Sequence, residues 1–352
     1  MSTPSLRLSV CLPTRLPLVD ARQTIDNARD LSLRYPFEVI VSDNSEDEGK
    51  AEELRALNAG RFRYLRSAAS GALDNWHSAL RHAEGEFACF LSDDDLLIAL
   101  PGFDGDDFDA PPGAVGIRPT MALYTDSAGI YGQSSFDIPE TRAVDRIRSY
   151  FRKNGGANTT LFSCFRREAI YDLLTGIQAH HPTKGGYSDW SWVLGLVSSG
   201  PLVSNPHLLY VYNNRNWSTA EDVVRNTRRT FHDAGLPEEA AQILLPLTVL
   251  DAFGTICRES SPIPLDEKRE AGLFAVSVYF DAFVARLGDA AFTRDFAPDR
   301  LDLAREMARE AVEPRDKLAA SLLLADEWLP GSHEAYTRYY GETLTRGALR
   351  GV

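Results

Sequence analysis

Strand and helix signals alternate through the first hundred residues, and that alternation limits the fold more than any other feature of the chain. Leu6, Leu8, Val10 and Leu12 fall at period two and are closed by Pro13, the mark of a strand. A helical stretch follows from about Leu18 to Leu33 and ends before the Tyr35-Pro36 breaker. Phe37 to Val41 reads as a second strand, Asp47 to Leu57 as a short charged helix, and Arg61 to Leu65 as a third strand. After Gly71, residues Leu73, Trp76, Leu80 and Ala83 recur at spacings of three or four, so one helical face packs on a sheet, and Phe87 to Leu91 is the fourth strand. Such repeats imply a parallel sheet covered by helices on both faces, which binds ligands at the carboxyl ends of its strands. Thr14 and Arg15, Asp43, and Ser92 to Asp95 all follow strand ends, which puts these polar residues on one rim.

From about Thr219 the pattern turns to helices alone, including Glu238 to Arg258, Asp266 to Leu287 and Leu301 to Val312. The expected division is a first domain at 1–218, in halves 1–100 and 101–218, and a helical domain at 219–352. Trp328, Tyr336, Tyr339 and Tyr340 read as core or dimer contacts, with any homodimer forming through the C-terminal helices. The 352 residues, 44% of them hydrophobic, suffice for a full core. A formal charge of −13 argues against nucleic acid or an anionic membrane as partner, so a polyanionic ligand must be held locally. No stretch approaches the roughly 18 consecutive apolar residues of a membrane span, and MSTPSLRLSV lacks the apolar core of a signal peptide, so a cytoplasmic location is expected. The four cysteines form no CxxC pair; Cys11 and Cys89 read as small buried hydrophobes.

Two other polar features carry no chemistry by pattern. The loop Pro101 to Gly113 holds Asp104, Asp106, Asp107 and Asp109, but a calcium loop starting at Asp104 needs glutamate at its twelfth position, where Val115 stands. His180-His181 has no third ligand at metal-like spacing and reads as exposed loop. The run Ser92-Asp93-Asp94-Asp95 is different. Three successive aspartates after a buried strand repel one another unless a cation or hydrogen bonds offset the repulsion, and oxygen ligands select Mg2+ or Mn2+. They could equally cap a helix beginning at Leu96-Leu97-Ile98.

The companions of that run resemble the donor half of family 2 glycosyltransferases of the GT-A fold. Leu8-Ser9-Val10-Cys11-Leu12-Pro13-Thr14-Arg15 looks like that family's first strand and nucleotide-binding turn, and Phe37 to Ser45 like its second strand. Gly71-Ala72-Leu73-Asp74-Asn75-Trp76 and Gly85 to Asp95 resemble its helix, strand and acidic DxD-type motif. The resemblance implies an α/β GT-A fold, with a mostly parallel sheet sandwiched by helices over 1–218, followed by an all-helical C-terminal domain. It implies that Pro13, Thr14, Arg15 and Asn75 line the nucleotide site, that Asp43 hydrogen-bonds the base and that Asp93 contacts the ribose. Asp94 would bind Mg2+ or Mn2+, with Asp95 orienting the metal shell. The motif's usual first aspartate is Ser92 here, which puts the ribose contact of Asp93 in doubt.

Gly185-Gly186-Tyr187-Ser188-Asp189-Trp190-Ser191-Trp192 is similar to the family's acceptor-side motif, which implies Asp189 as catalytic base; it could also cap the helix that follows. Where many relatives carry a histidine, Arg215 stands, which cannot ligate a metal but can neutralise a diphosphate bidentately. Asn158-Thr159-Thr160 lies where relatives line the sugar pocket, and a plain loop is an equal reading. The function implied is inverting transfer from a UDP- or dTDP-sugar to a saccharide, natural-product or lipid-linked hydroxyl. The rivals are a nucleotidyltransferase of similar fold, disfavoured because Pro13-Thr14-Arg15-Leu16-Pro17 is neither glycine-rich nor strongly basic, and a catalytically silent nucleotide-binding or scaffold protein. An NAD enzyme would need glycines between Leu12 and Leu18, where there are none.

Overall fold

Seven consecutive buried residues, Leu8–Thr14, form β1, flanked on both sides by parallel strands, and a strand covered on both faces has no need to alternate apolar with polar. The computed structural model describes residues 6–104, 108, 110–184 and 186–350. Asp106, Asp107 and Asp109 of the acidic loop, and Gly185, lie outside the described residues. The chain divides into two units. The first comprises Met1–Pro139, Ala157–Gln178 and Gly200–Val223; the second comprises Glu140–Gly156, Ala179–Ser199 and Val224–Val352. The sequence boundary at 218 differs from this division at 140–156 and 179–199, which fall in the second unit, and at 219–223, which falls in the first.

In chain order the elements are β1, α1 (Leu18–Arg34), β2 (Phe37–Asp43), α2 (Glu48–Ala56), β3 (Phe62–Arg66), α3 (Ala72–Arg81), β4 (Phe87–Phe90), β5 (Leu96–Ala99), β6 (Gly116–Thr125), β7 (Gly129–Ser134), α4 (Ala143–Asn154), β8 (Cys164–Arg166), α5 (Arg167–His180), α6 (Asp189–Ser199), β9 (Leu202–Asn213) and α7 (Ala220–Asp233). Then come α8 (Leu244–Cys257), α9 (Leu265–Arg286), α10 (Ala290–Thr293), α11 (Pro298–Glu310), α12 (Pro314–Trp328) and α13 (Ser332–Thr343).

The nine strands among the described residues belong to the first unit and form one sheet in the order β3-β2-β1-β4-β8-β6-β9-β5, with β7 added to β6. The β3-β2-β1-β4 half is parallel, as the repeats require. The other half is mixed: β6 runs parallel to β9, while the β4-β8, β8-β6, β6-β7 and β5-β9 pairs are antiparallel. Register sets the rim. Thr14 pairs with Asp43 and Asp43 with Arg66, whereas the last residue of β4, Phe90, is level with Cys11. Because β4 stops early, the chain after it turns alongside the end of β1. The helices end where the sequence says they must: Tyr35, preceding Pro36, is extended and closes α1, and Asp47 caps α2 by accepting from the Lys50 amide. Leu96-Leu97-Ile98 is strand β5, paired with β9, and no helix follows the aspartates for them to cap.

The helical unit is built on α8, buried at every residue from Pro246 to Cys257. The stretch Glu238–Cys257 is long and apolar enough to cross a membrane by length and composition, but 78% of it is buried inside the structure. Glycines let neighbours approach it: a Cβ on Gly195 of α6 would lie 2.9 Å from Thr255, and one on Gly272 of α9 would lie 2.9 Å from the Cys257 sulfur. Buried Arg146 of α4 donates to the Val197 and Ser198 carbonyls that end α6, satisfying acceptors a helix terminus leaves open. Trp328, Tyr336, Tyr339 and Tyr340 are all core residues. One expectation is corrected here: His180 is exposed at the end of α5, but His181 is not loop surface. Its side chain is buried because the ring pairs with the equally buried Asp251 of α8 at 2.8 Å.

Candidate active site

The rim of the parallel half is tied together by a buried charge. Lys50 Nζ, reaching in from α2, lies 3.2 Å from Asp43 Oδ1 and donates to Thr14 Oγ1 and the Leu16 carbonyl, both at 2.8 Å. The Lys50 and Asp43 side chains are wholly buried. Thr14 passes the connection on, its hydroxyl donating to Asp93 Oδ2 at 2.8 Å. The same Asp93 oxygen accepts from the Arg15 and Leu16 amides at 2.9 and 3.0 Å. One lysine and two carboxylates thereby join the ends of β1, β2 and β4.

Asp43 has little capacity left for a ligand. Oδ1 takes Lys50 and the Ser45 amide, while Oδ2 takes the Tyr64 hydroxyl at 3.0 Å and lies 3.7 Å from the Arg66 guanidinium. A carboxylate offers about four lone-pair sites, of which Lys50, the Ser45 amide and the Tyr64 hydroxyl take three, with the Arg66 guanidinium near the fourth. In this structure Asp43 holds the turn, with one lone-pair site not taken by a close donor. Asn75, also buried, acts similarly: its amide donates to the Ser42 carbonyl and Asn44 Oδ1 and accepts from the Ser42 hydroxyl, fixing the turn after β2. Pro13 is buried within β1, whereas Arg15 is exposed just beyond it.

The three aspartates after β4 have three different employments. Asp93 holds the β1 turn as described. Asp95, 1% exposed, accepts from Tyr210 Oη and the Asn213 amide of β9, both at 2.7 Å, and its carbonyl accepts from Thr24 of α1. Burial first, and the neighbouring Asp94 charge second, push the Asp95 carboxyl up to about 8, against the lowering effect of those hydrogen bonds. Each Asp95 oxygen accepts a hydrogen bond from β9, so in this structure the residue that the sequence places in the metal shell clamps the turn beside Asp94. Asn27 of α1 completes the frame by accepting from the Leu97 amide.

Asp94 is the carboxylate left over. Its side chain is 21% exposed and faces a cleft of about 320 Å3 whose walls include Asp20, Gln23, Tyr124, Asp126 and Asn213. Arg215 lines the same cleft, its guanidinium 3.7 Å from Asp94 Oδ2. Burial, then the Asp93 charge, push Asp94 up to about 6, with Arg215 opposing. A carboxyl held above its usual range beside an open cleft is a group that a cation would ionise and relieve. Among the described residues, no set of three His, Cys, Asp or Glu side chains is grouped to hold a metal ion. The donor set therefore fits Mg2+ or Mn2+ held by one carboxylate, with phosphate and water oxygens supplying the rest.

Asn158, Thr159 and Thr160 belong to one short 3-10 turn, in which Thr160 is buried. In the helical unit Asp189 is the first residue of α6, and its charge adds to burial in pushing the Tyr279 phenol up. The residues that sequence reasoning missed are Lys50, Tyr64 and Tyr210. Lys50 sits inside Glu48-Gly49-Lys50-Ala51-Glu52-Glu53, which looks like a solvated charged face; its one distinguishing signal was its place one turn after the Asp47 cap, level with the strand ends.

Two outcomes follow from this geometry. Lys50→Met should destabilise the protein by about 3–5 kcal/mol in urea unfolding, because it leaves Asp43 buried without its cation; a loss well under 1 kcal/mol would refute the role given to this pair. Since Asp94 ionises near pH 6 without metal, Mn2+ affinity read by electron paramagnetic resonance should weaken about tenfold per pH unit below about 6 and level off above it.

Residues 9–98 match the family described as Glycosyl transferase family 2. No curated protein matches the chain. Among solved structures, the chain is similar to S. aureus TarS at 16% identity and a TM-score of 0.42, covering 91% of this chain and 55% of TarS. It is also similar to S. aureus TarS 1-349 in complex with UDP-GlcNAc, at 15% identity and a TM-score of 0.42 with 91% of each chain covered. A third is the mannosyltransferase PcManGT from Pyrobaculum calidifontis in complex with GDP-Man and Mn2+, at 17% identity and a TM-score of 0.44, covering 93% of this chain and 88% of that one. The matched segment 9–98 contains the β1 turn, Lys50 and the three aspartates, so it is this part of the chain that is similar to the family 2 glycosyltransferases.

Proposed function

We propose that the protein is an inverting glycosyltransferase that moves a sugar from a nucleoside-diphosphate donor, UDP- or dTDP-linked in the first instance, to a hydroxyl of a saccharide, natural-product or lipid-linked acceptor. The observation that carries this reading is the division of work among the aspartates: two lock the turns at the strand ends, and Asp94 is left facing a cleft beside a guanidinium. In this reading the turn Pro13–Arg15 and the Ser42–Asn44 turn shape the nucleotide pocket, with Asp43, Asn75 and Asp93 holding those turns in place. Arg215 takes the diphosphate, for which a planar guanidinium is suited. Asp94 would hold Mg2+ or Mn2+, which when bound supplies positive charge to the departing diphosphate.

The acceptor hydroxyl attacks the anomeric carbon on the face opposite the leaving group, the bond from that carbon to the diphosphate oxygen breaks, and the configuration inverts. The hydroxyl proton goes to Asp189, assigned as general base. Asp43 enters as a support for the base pocket, which shifts the contact with the base itself to backbone and neighbouring groups of the same turn.

Asp189→Asn keeps the shape of the side chain and removes its basicity. Release of nucleotide in the presence of acceptor should fall about 10²- to 10⁴-fold, while the thermal shift given by UDP with Mn2+ is retained. Normal turnover by this variant would remove Asp189 from the mechanism, and absence of any stabilisation by nucleoside diphosphates would refute the donor site.

A further inference from the structure

The helical unit contains a polar cluster that the transfer chemistry does not use directly. His181, 3% exposed, directly precedes the segment leading to Asp189, and its Nε2 lies 2.8 Å from Oδ1 of the fully buried Asp251. The other ring nitrogen, Nδ1, accepts from the Lys184 amide at 3.0 Å and from the Thr183 amide at 3.3 Å. A nitrogen accepting from a backbone amide cannot carry the ring proton. The proton therefore sits on Nε2 and is donated to Asp251, whose Oδ1 also accepts from Tyr336 Oη at 2.8 Å.

This histidine holds a backbone that would not hold itself. Lys184 has φ of +50°, a left-handed conformation that costs a side-chain-bearing residue about 1 kcal/mol or more, and its amide is the one captured by Nδ1. Further along, the Tyr187 ring stacks on Phe231 at 4.2 Å and its hydroxyl meets Thr183 Oγ1. The far end is fixed as well: Ser191 Oγ donates to the Ser188 carbonyl at 2.6 Å, and Thr255 Oγ1 donates to the Ser191 carbonyl at 2.8 Å. Asp251 and Thr255 are four residues apart on α8 and so share one face. One rigid, buried helix thus grips the chain on both sides of Asp189, through His181 before it and Ser191 after it.

A buried carboxylate held by hydrogen bonds is a poor means of gaining stability, since apolar side chains of similar volume usually do as well or better. Its advantage is geometric, because hydrogen bonds of fixed direction specify one backbone path. We infer that His181 and Asp251, with Thr255 at the other end, are positioning residues that set the placement of Asp189. This rests on the assignment of Asp189 as base.

A positioning role predicts a loss confined to turnover. In folded His181→Gln, which keeps bulk but cannot present the Nδ1 acceptor to Lys184, and in Thr255→Val, kcat should fall by about tenfold or more while donor KM stays within about twofold. His181→Ala tests the same point with a larger truncation, and should it fail to fold, the other two variants still decide. Rates are expressed per folded enzyme, from thermal melts of the same samples, so that lowered stability alone leaves kcat unchanged. Unchanged kcat in the folded variants, with Asp189→Asn inactive, would overturn the inference and leave the base assignment standing. Full turnover by Asp189→Asn would overturn the base assignment itself.

Discussion

The Lys50 ammonium, buried between Asp43 and Thr14, is the contact on which the rim of the sheet depends. Burying a charge is tolerable only when partners replace its hydration, and Lys50 Nζ has three donors placed on three oxygens: a carboxylate, a hydroxyl and a carbonyl. Each belongs to a different strand end or turn. The lysine therefore does more than neutralise Asp43, since it sets the distance between the β1 and β2 turns. Thr14 extends that register to Asp93 and so to β4. Loops at strand ends are ordinarily the mobile parts of an α/β sheet; here a continuous set of charge-assisted bonds runs beneath them.

That frame explains how a run of three aspartates is accommodated. Asp93 turns toward backbone amides, Asp95 toward a tyrosine hydroxyl and an amide of β9, and Asp94 toward the cleft. Asp93 and Asp95 are met by directed donors and Asp94 by the Arg215 guanidinium. In the proposed function a cation would be held at Asp94, the aspartate that faces the cleft. Preorganisation of this kind means that a ligand meets a fixed site and does not have to order the turns on arrival.

Much of this was legible in the residues. β1 carries Leu8, Val10 and Leu12 at period two, β2 carries Val39-Ile40-Val41 and β4 is Phe87-Ala88-Cys89-Phe90, so their strand character and the polar rim beyond them could be read directly. The antiparallel half could not, because β5 is four residues, Leu96-Leu97-Ile98-Ala99, and a short apolar run has no period that separates strand from helix. Lys50 was hidden because a charged residue in a charged helix looks solvated until its partners, 36 residues back in the chain at Thr14, are known. His181 was hidden for the same reason: Asp251 lies 70 residues on. In each case the deciding interaction is between residues far apart in sequence, and the local pattern pointed to the surface.

The central claim, that Asp94 alone of the three aspartates meets the metal and diphosphate while Asp95 is framework, is tested most directly by calorimetric titration of UDP with Mn2+ into Asp94→Ala and Asp95→Asn. The account predicts that Asp94→Ala melts like the parent but loses the Mn2+-dependent part of binding. Asp95→Asn should melt at lower temperature yet bind with Mn2+ nearly as the parent does. The opposite pattern, metal-dependent binding kept by Asp94→Ala and lost by a stable Asp95→Asn, would contradict it.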